Sequence, residues 1–238
     1  MKSWVEALND YSYPVKLSSY EQPNRFTNYV TKDIDGGRNS TIQFENHFRE
    51  NAHHSIEVYF EVIFWKLYSQ LNIRQTRTTE MIDNILRLGT TPQELYDSIK
   101  AFAISPNKSN LQTLRLFLSI KTDVLAVPLT FVAFFSPAKY PMVDRVVAGW
   151  INENLSEHNK SRQAKLTPFI SFNKGYTSLR DVDFLNYINW VNWCNETAHI
   201  LNEGTAIEWR PRDVEMAVFA AERDKRKSIR LSVLGNPV

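Results

Sequence analysis

Cysteine and glycine are both scarce in this chain, and their scarcity excludes several kinds of site. The single cysteine, Cys194, rules out a disulfide framework, a cysteine-based structural zinc site and an iron–sulfur cluster. Only 7 of the 238 residues are glycine, which argues against the glycine-rich phosphate loops of nucleotide-binding proteins. Because a chain without disulfides suits a reducing compartment, the sequence predicts an intracellular, cytoplasmic protein.

Long hydrophobic runs and a strong charge excess are also missing. The longest apolar stretch, VLAVPLTFVAFF (124–135), is about half the length of a bilayer-spanning helix and contains a proline. The first residues, MKSWVEALNDY, include acidic side chains and no long apolar segment, unlike a secretory signal. The net charge is +2, whereas dedicated nucleic-acid-binding proteins usually carry a larger basic excess. We therefore expect no membrane partner, and any DNA contact must come from a local basic patch.

What the chain does contain indicates an all-α fold. Hydrophobic residues make up 43% and charged residues 23%, the profile of a globular protein. Ile56, Phe60 and Ile63 follow the spacing of a buried helix face. Gly89 is a typical helix C-cap, and TTPQE (90–94) contains a capping box with proline at the first helical position. No alternation typical of strands and no internal repeat is visible.

The amino-acid composition of the chain changes after about residue 44. Residues 1–44 are rich in Tyr, Asn, Ser and Pro, so we expect an irregular segment with one short helix near Trp4 to Asn9. The remaining residues, 45–238, read as one helical domain whose lobes share a core. We expect the N-terminal segment to pack on that helical body.

The stretch FFSPAKYPMVDRVVAGWI (134–151) contains the main candidate site residue. A loop with two prolines leads to Asp144, and an amphipathic helix follows directly. An aspartate in this position caps the helix and complements its positive end. The N-terminus of a helix is also a place where a protein can hold a catalytic carboxylate. Both interpretations of Asp144 stay open at this point.

The region from Ile120 to Trp150 resembles the helix-hairpin-helix DNA glycosylase superfamily. In that superfamily a hairpin of the type Leu-Pro-Gly-Val-Gly leads into a buried helix, and a proline-containing loop ends in Val-Asp at the start of another helix. SPAKYPMVDRVV (136–147) is similar in residue type and spacing, and WRPRDVEMAVFA (209–220) resembles the last core helix of some members. The resemblance implies a two-lobed helical glycosylase-like fold over about residues 45–220.

The same resemblance implies a role for Asp144. In the superfamily this aspartate faces the extruded nucleotide, where it stabilises positive charge on the sugar or orients an attacking water. Such chemistry suits a preorganised negative group in a site with little water. The implied activity is base excision by a monofunctional DNA N-glycosylase, with double-stranded DNA as the partner and with no cofactor or metal.

Departures from the family pattern are concentrated in the hairpin. Thr122 and Val124 stand where the family has glycines, whose lack of a side chain lets backbone N–H groups approach a DNA phosphate. Asp123 adds a negative charge between them, so the hairpin is degenerate as a phosphate clamp. Ala126 replaces the nucleophilic lysine of lyase-type members, and Lys121 is its nearest substitute. A Schiff-base lyase is therefore not expected.

Basic residues provide the candidate DNA contacts. The tail segment AAERDKRKSIRLS (220–232) holds five basic residues between Arg223 and Arg230, a pattern typical of either a solvated helix end or a nucleic-acid contact. The candidates for contact with the DNA backbone are Lys121, Lys139, Arg145, Lys225, Arg226 and Lys227.

The aromatic, histidine and cysteine candidates each have a plainer alternative. Trp190 and Trp193 are candidates for stacking on a flipped base, although their spacing also suits core packing. His53 and His54 are adjacent, and adjacent helix residues point apart, so surface placement without a metal is expected. Cys194 lies on an aromatic-rich helix face and is interpreted as a core thiol.

Two functional hypotheses follow from the sequence. The first is a DNA-glycosylase-like protein that uses Asp144 in a cleft between helical lobes. The second is a non-catalytic helical scaffold or interaction protein that has lost the DNA phosphate clamp, since fold does not imply function. The sequence identifies no protein partner.

Overall fold

Every regular secondary-structure element in the described part of the chain is a helix, as the sequence predicts. The structure is a computed structural model that describes residues 3–17, 33–70, 74–120, 123–176 and 178–234, with the backbone alone for 74–75 and 229–234. Within these ranges a 3₁₀ turn covers Asp181–Asp183, and the α-helices are α1 Trp4–Asn9, α2 Arg38–Asn51, α3 Glu57–Leu67, α4 Arg74–Leu88, α5 Pro92–Ile104, α6 Lys108–Phe117, α7 Ala126–Phe135, α8 Arg145–His158, α9 Ile170–Asn173, α10 Phe184–Gly204 and α11 Pro211–Leu234. Among the described helices, none is both long and apolar enough to span a bilayer.

The helices form two compact units. Unit 1 consists of Met1–Ser12 together with Ala138–Val238, and unit 2 consists of Tyr13–Pro137. This division differs from the predicted boundary at residue 44. The reason lies in α1, which packs on α11. There the Arg223 guanidinium donates hydrogen bonds to the carbonyl oxygens of Asp10, at 3.1 Å, and Ser12. Met1–Ser12 therefore belongs to the same unit as Ala138–Val238.

Unit 2 is arranged around the apolar helix α7. Its Leu129 and Phe131 are fully buried, and α7 packs on α2, α3, α5 and α6. The predicted capping box at the start of α5 is confirmed, since Thr91 Oγ1 accepts a hydrogen bond from Glu94 N–H and the Glu94 carboxylate accepts one from Thr91 N–H. Gly89 is confirmed as the C-terminal residue after α4, where its φ of 67° suits glycine.

Unit 1 is arranged around α10 and α11, which pack on each other, while α11 also packs on α8. Both long helices bury most of one side. The buried α10 residues include Tyr187, Trp190, Trp193 and Cys194. Pro211 occupies the first turn of α11, where its missing N–H costs no helical hydrogen bond.

The segment that contains the predicted buried helix face is divided between two helices. The segment from Asn46 to Asn72 contains no proline or glycine, yet α2 ends at Asn51 and α3 begins at Glu57. The Tyr59 hydroxyl donates to the Ala52 carbonyl at 2.9 Å, which satisfies an oxygen that a continuous helix would have bonded internally. A buried side chain from the next helix thus stabilises the break.

Candidate functional site around Asp144

The loop before α8 explains why that helix begins at Arg145. Pro141 has no N–H and disfavours helical backbone in the residue before it. Asp144 follows in an extended conformation, with φ of −141° and ψ of −173°, and is the N-cap of α8. Its Oδ1 accepts hydrogen bonds from the backbone N–H groups of Val146 and Val147, at 2.8 and 3.0 Å. The capping role predicted for Asp144 is confirmed.

Two buried side chains of α10 fix the same loop. The Tyr187 hydroxyl donates to the Pro141 carbonyl at 3.2 Å, and the Trp190 indole N–H donates to the Met142 carbonyl at 2.9 Å. Both rings have no exposed surface. The sequence did not identify Tyr187 as an anchor. The available signal was a Tyr and a Trp three residues apart on a buried face, since each carries a polar atom that needs a partner.

The Asp144 carboxylate keeps one oxygen unengaged. Oδ1 takes both capping hydrogen bonds, while Oδ2 accepts none from any described residue. No described basic side chain pairs with Asp144, although the residue is partly exposed. The arrangement is a carboxylate that is oriented by a helix end and a fixed loop, with one oxygen available for a ligand or a water.

The two stacking candidates lie inside unit 1. Trp190 and Trp193 stack on each other with ring centroids 5.5 Å apart and 15° between planes, and neither ring has exposed surface. Trp193 also contacts Trp150 and Trp4, at 5.9 and 6.1 Å between centroids. Their burial supports the core-packing alternative, because neither ring presents a face to a base in this conformation.

Two of the candidate DNA contacts are engaged in ion pairs within unit 1. The Lys225 ammonium lies 2.6 Å from Glu153 Oε2, and this hydrogen bond raises the pKa of Lys225. Arg226 Nε donates to Glu222 Oε1 at 2.6 Å, and Glu222 is 2% exposed. Both side chains therefore hold α11 together or join it to α8.

The other basic candidates differ in how free their charges are. Arg145 and Lys227 are exposed and make no hydrogen bond or ion pair with the described residues. Lys139 is exposed, with its ammonium 4.9 Å from the centroid of the Tyr140 ring. Lys121 lies outside the described residues. Arg145 and Lys227 are thus the described candidates whose charges are available to a phosphate.

The hairpin between α6 and α7 is closed without glycine. Ser119 N–H donates to the Leu116 carbonyl at 3.0 Å, and Ile120 N–H donates to the Arg115 carbonyl at 2.8 Å. These two bonds form a Schellman motif in which Ser119 adopts a φ of 54°, a conformation that favours glycine. The buried Arg115 then donates from Nε to the Val124 carbonyl at 3.0 Å, which ties the far side of the hairpin back to α6.

Two further positions discussed in the sequence, Asp123 and Ala126, lie in the described part of the chain. Asp123 is exposed, so its negative charge lies at the surface of the hairpin. Ala126, at the position where the sequence resemblance would place the lysine of a lyase, is the first residue of α7. Thr122 lies outside the described residues.

The remaining candidates are Cys194 and the adjacent histidines His53 and His54. Burial raises the pKa of the Cys194 thiol well above its usual range, so Cys194 is an inert core thiol, as interpreted from the sequence. His53 and His54 are exposed as expected, but their rings do not point apart, because both lie in the turn after α2. Within the described ranges, no group of three or more His, Cys, Asp or Glu is arranged to hold a metal.

The chain was compared with family models, curated proteins and solved structures. No family model, curated protein or solved structure matches the chain.

Proposed function

We propose that this chain is a DNA-glycosylase-like protein that excises a base from DNA with Asp144 as its catalytic carboxylate. The observation that carries the proposal is the geometry of Asp144. One carboxylate oxygen is fixed by the N-terminus of α8, and the other accepts no hydrogen bond from the described residues. The second oxygen can therefore contact a substrate without loss of the helix cap.

The proposed chemistry follows from charge. As a base leaves, positive charge develops on the sugar, and a carboxylate held nearby stabilises it without reorganising. The loop before Asp144 is held by hydrogen bonds from Tyr187 and Trp190, so the carboxylate is positioned before substrate binds. Oδ2 is then the atom that faces the sugar or orients the attacking water.

The order of elements supports a glycosylase-like, two-lobed fold as part of the same proposal. Helices α6 and α7 are joined by the eight residues 118–125, and the nine residues 136–144 lead from α7 to α8. This is the succession of helix, hairpin, helix and aspartate-capped helix on which the sequence resemblance rests. The proposed partner is double-stranded DNA whose target base is flipped out of the stack.

The direct test is base release from a panel of duplexes, each with one damaged or mismatched base. We expect the protein to release at least one base under single-turnover conditions and to leave an abasic site with an uncleaved strand. Strand cleavage, or a covalent adduct trapped by borohydride, would contradict the monofunctional chemistry, because Ala126 has no amine to form a Schiff base. No release from any duplex would contradict excision of the bases in the panel.

A second candidate function is favoured by the hairpin. Exposed Asp123 places a negative charge where a phosphate would approach, and at about 4 Å in water two such charges repel by about 1 kcal/mol. We propose as the alternative a helical interaction protein that does not bind DNA.

DNA binding separates the two candidates. For the glycosylase-like protein we expect DNA binding that weakens steeply as the salt concentration rises. Arg145→Glu and Lys227→Glu should each make the negative slope of log K against log salt shallower by about 1. The matched control is Lys100→Glu, the same charge reversal at an exposed lysine of α5. Equal effects at all three positions would indicate non-specific attraction. No binding at low salt would support the interaction protein.

A further inference from the structure

His53 and His54 form a close pair at the end of α2. The helix stops at Asn51, and the next residues turn, with the N–H groups of His54 and Ser55 both donating to the Asn51 carbonyl, at 3.1 and 2.9 Å. In this turn the two imidazole rings meet with centroids 4.4 Å apart and 76° between planes. His53 Nε2 and His54 Nδ1 are 3.1 Å apart. Side chains at adjacent positions of a continuous helix would not meet in this way.

The pair is both supported and accessible. The Tyr96 ring of α5 lies edge-on to His53, with centroids 6.1 Å apart, and supports one side of that ring. Both histidines are exposed, and neither makes another hydrogen bond with the described residues. The two facing nitrogens can therefore be reached from solvent without moving a buried group.

We propose that His53 and His54 bind one divalent transition-metal ion between His53 Nε2 and His54 Nδ1. Two neutral imidazole nitrogens at this separation share one proton, and a metal ion can replace that proton. An ion about 2.0–2.1 Å from each nitrogen would subtend an angle of about 100° across the observed 3.1 Å. This angle lies between octahedral and tetrahedral values, so the separation of the two nitrogens suits either geometry.

The ligand chemistry selects the class of metal. Imidazole suits Cu²⁺, Ni²⁺ and Zn²⁺, whereas Mg²⁺ and Ca²⁺ prefer oxygen ligands. With two protein ligands, water fills the other coordination positions, and Cu²⁺ should bind most tightly.

The test uses the full chain with Cu²⁺ and Zn²⁺ as probes in isothermal titration calorimetry, and Mg²⁺ as the contrast. We expect one ion per chain for Cu²⁺ and Zn²⁺, no heat of binding for Mg²⁺, and a nitrogen-ligated Cu²⁺ signal in electron paramagnetic resonance. His53→Ala and His54→Ala should each weaken binding by more than about tenfold, since either removes one of two ligands. Both positions are exposed, so circular dichroism should show unchanged folding.

His199→Ala is the matched control. His199 is also exposed, and it pairs with Glu203 at 3.4 Å on α10. We expect this variant to bind Cu²⁺ as the wild type does. Equal loss in His199→Ala, or unchanged binding in the His53→Ala/His54→Ala double variant, would overturn the assignment. DNA binding and base release play no part in these readouts, so the metal site can fail while the proposed function stands, and the reverse.

Discussion

The two units bury different kinds of side chain. Unit 2 relies on aromatic edge-to-face contacts, such as Phe44 against Phe134 and Phe48 against Tyr59, with centroids 5.2 and 5.3 Å apart. Unit 1 instead collects five of the six tryptophans, leaving only Trp65 to unit 2. Both units bury charged residues. In unit 2 these are Glu45, Glu61 and Arg115, whereas in unit 1 they are concentrated on α11, where four are each at most 4% exposed: Arg212, Asp213, Glu215 and Glu222.

Because their buried side chains differ, we expect the two units to respond differently to substitution and to pH. Apolar contacts weaken roughly in proportion to the atoms removed. A buried ion, in contrast, becomes unfavourable once its partner is gone, because the remaining charge has been taken out of water. Loss of one of the clustered charges of α11 should therefore destabilise unit 1 strongly, and the tryptophans of unit 1 make fluorescence a direct monitor of it.

The largest effect is expected for Glu215→Ala. Glu215 pairs with the fully buried Arg212, so the variant leaves a buried guanidinium without this carboxylate. We expect the free energy of unfolding to fall by about 3–5 kcal/mol. Urea unfolding followed by tryptophan fluorescence measures it.

Two variants control for this result. Glu203→Ala removes an exposed carboxylate on α10 and should change stability by less than about 0.5 kcal/mol. The double variant Arg212→Met/Glu215→Leu should recover much of the loss, because a buried ion pair can often be replaced by apolar residues. A cost below about 1 kcal/mol for Glu215→Ala would show that the pair is not essential to unit 1.

A smaller effect is expected where α8 meets α11. A Cβ added at Gly149 would lie 2.3 Å from Arg226 Nη2, so Gly149→Ala displaces the guanidinium that pairs with buried Glu222. The better helix propensity of alanine offsets part of the cost, leaving a net loss of about 1 kcal/mol. Gly204→Ala, whose Cβ would meet no atom within 4 Å, should be neutral or stabilising. If both variants are equally stable in urea, the contact with Arg226 contributes nothing.

The smallest effect is a pH dependence that comes from His158 in unit 1. Burial lowers the pKa of His158, opposed by Glu157 and assisted by Arg162. The unfolded chain therefore binds this proton more readily, so stability present above pH of about 6.5 is lost as pH falls toward the lowered pKa. The fluorescence-detected urea midpoint should drop between about pH 7.5 and about pH 5.5, and His158→Gln should drop less. An identical drop in His158→Gln would assign the dependence to other groups.

Local signals in the sequence predicted much of the fold and the cap at Asp144. The glycine that ends helix α4 at Gly89, the capping box at Thr91 and the N-cap at Asp144 depend on bonds between residues two to five positions apart, so short stretches suffice to identify them. The same holds for the helical character of the described chain.

Tertiary contacts account for what the sequence did not reveal. The bond from Arg223 to Asp10 joins residues 213 positions apart and assigns α1 to unit 1. The close approach of Arg226 to Gly149 likewise depends on how α8 meets α11, whereas the pairing of Arg226 with Glu222 lies within α11. The pairing of His53 with His54 depends on the helix break after Asn51, which no proline or glycine marks.

Asp144→Asn tests the proposed function most directly, through thermal stability and single-turnover base release measured on the same preparations. Asparagine caps a helix about as well as aspartate but carries no charge, so we expect stability within a few tenths of a kcal/mol of wild type. Base release should fall by about 10²–10³-fold. Asp83→Asn, at an exposed carboxylate of α4, should leave both unchanged. Release by Asp144→Asn at the wild-type rate would contradict catalysis by Asp144 and leave it a helix cap.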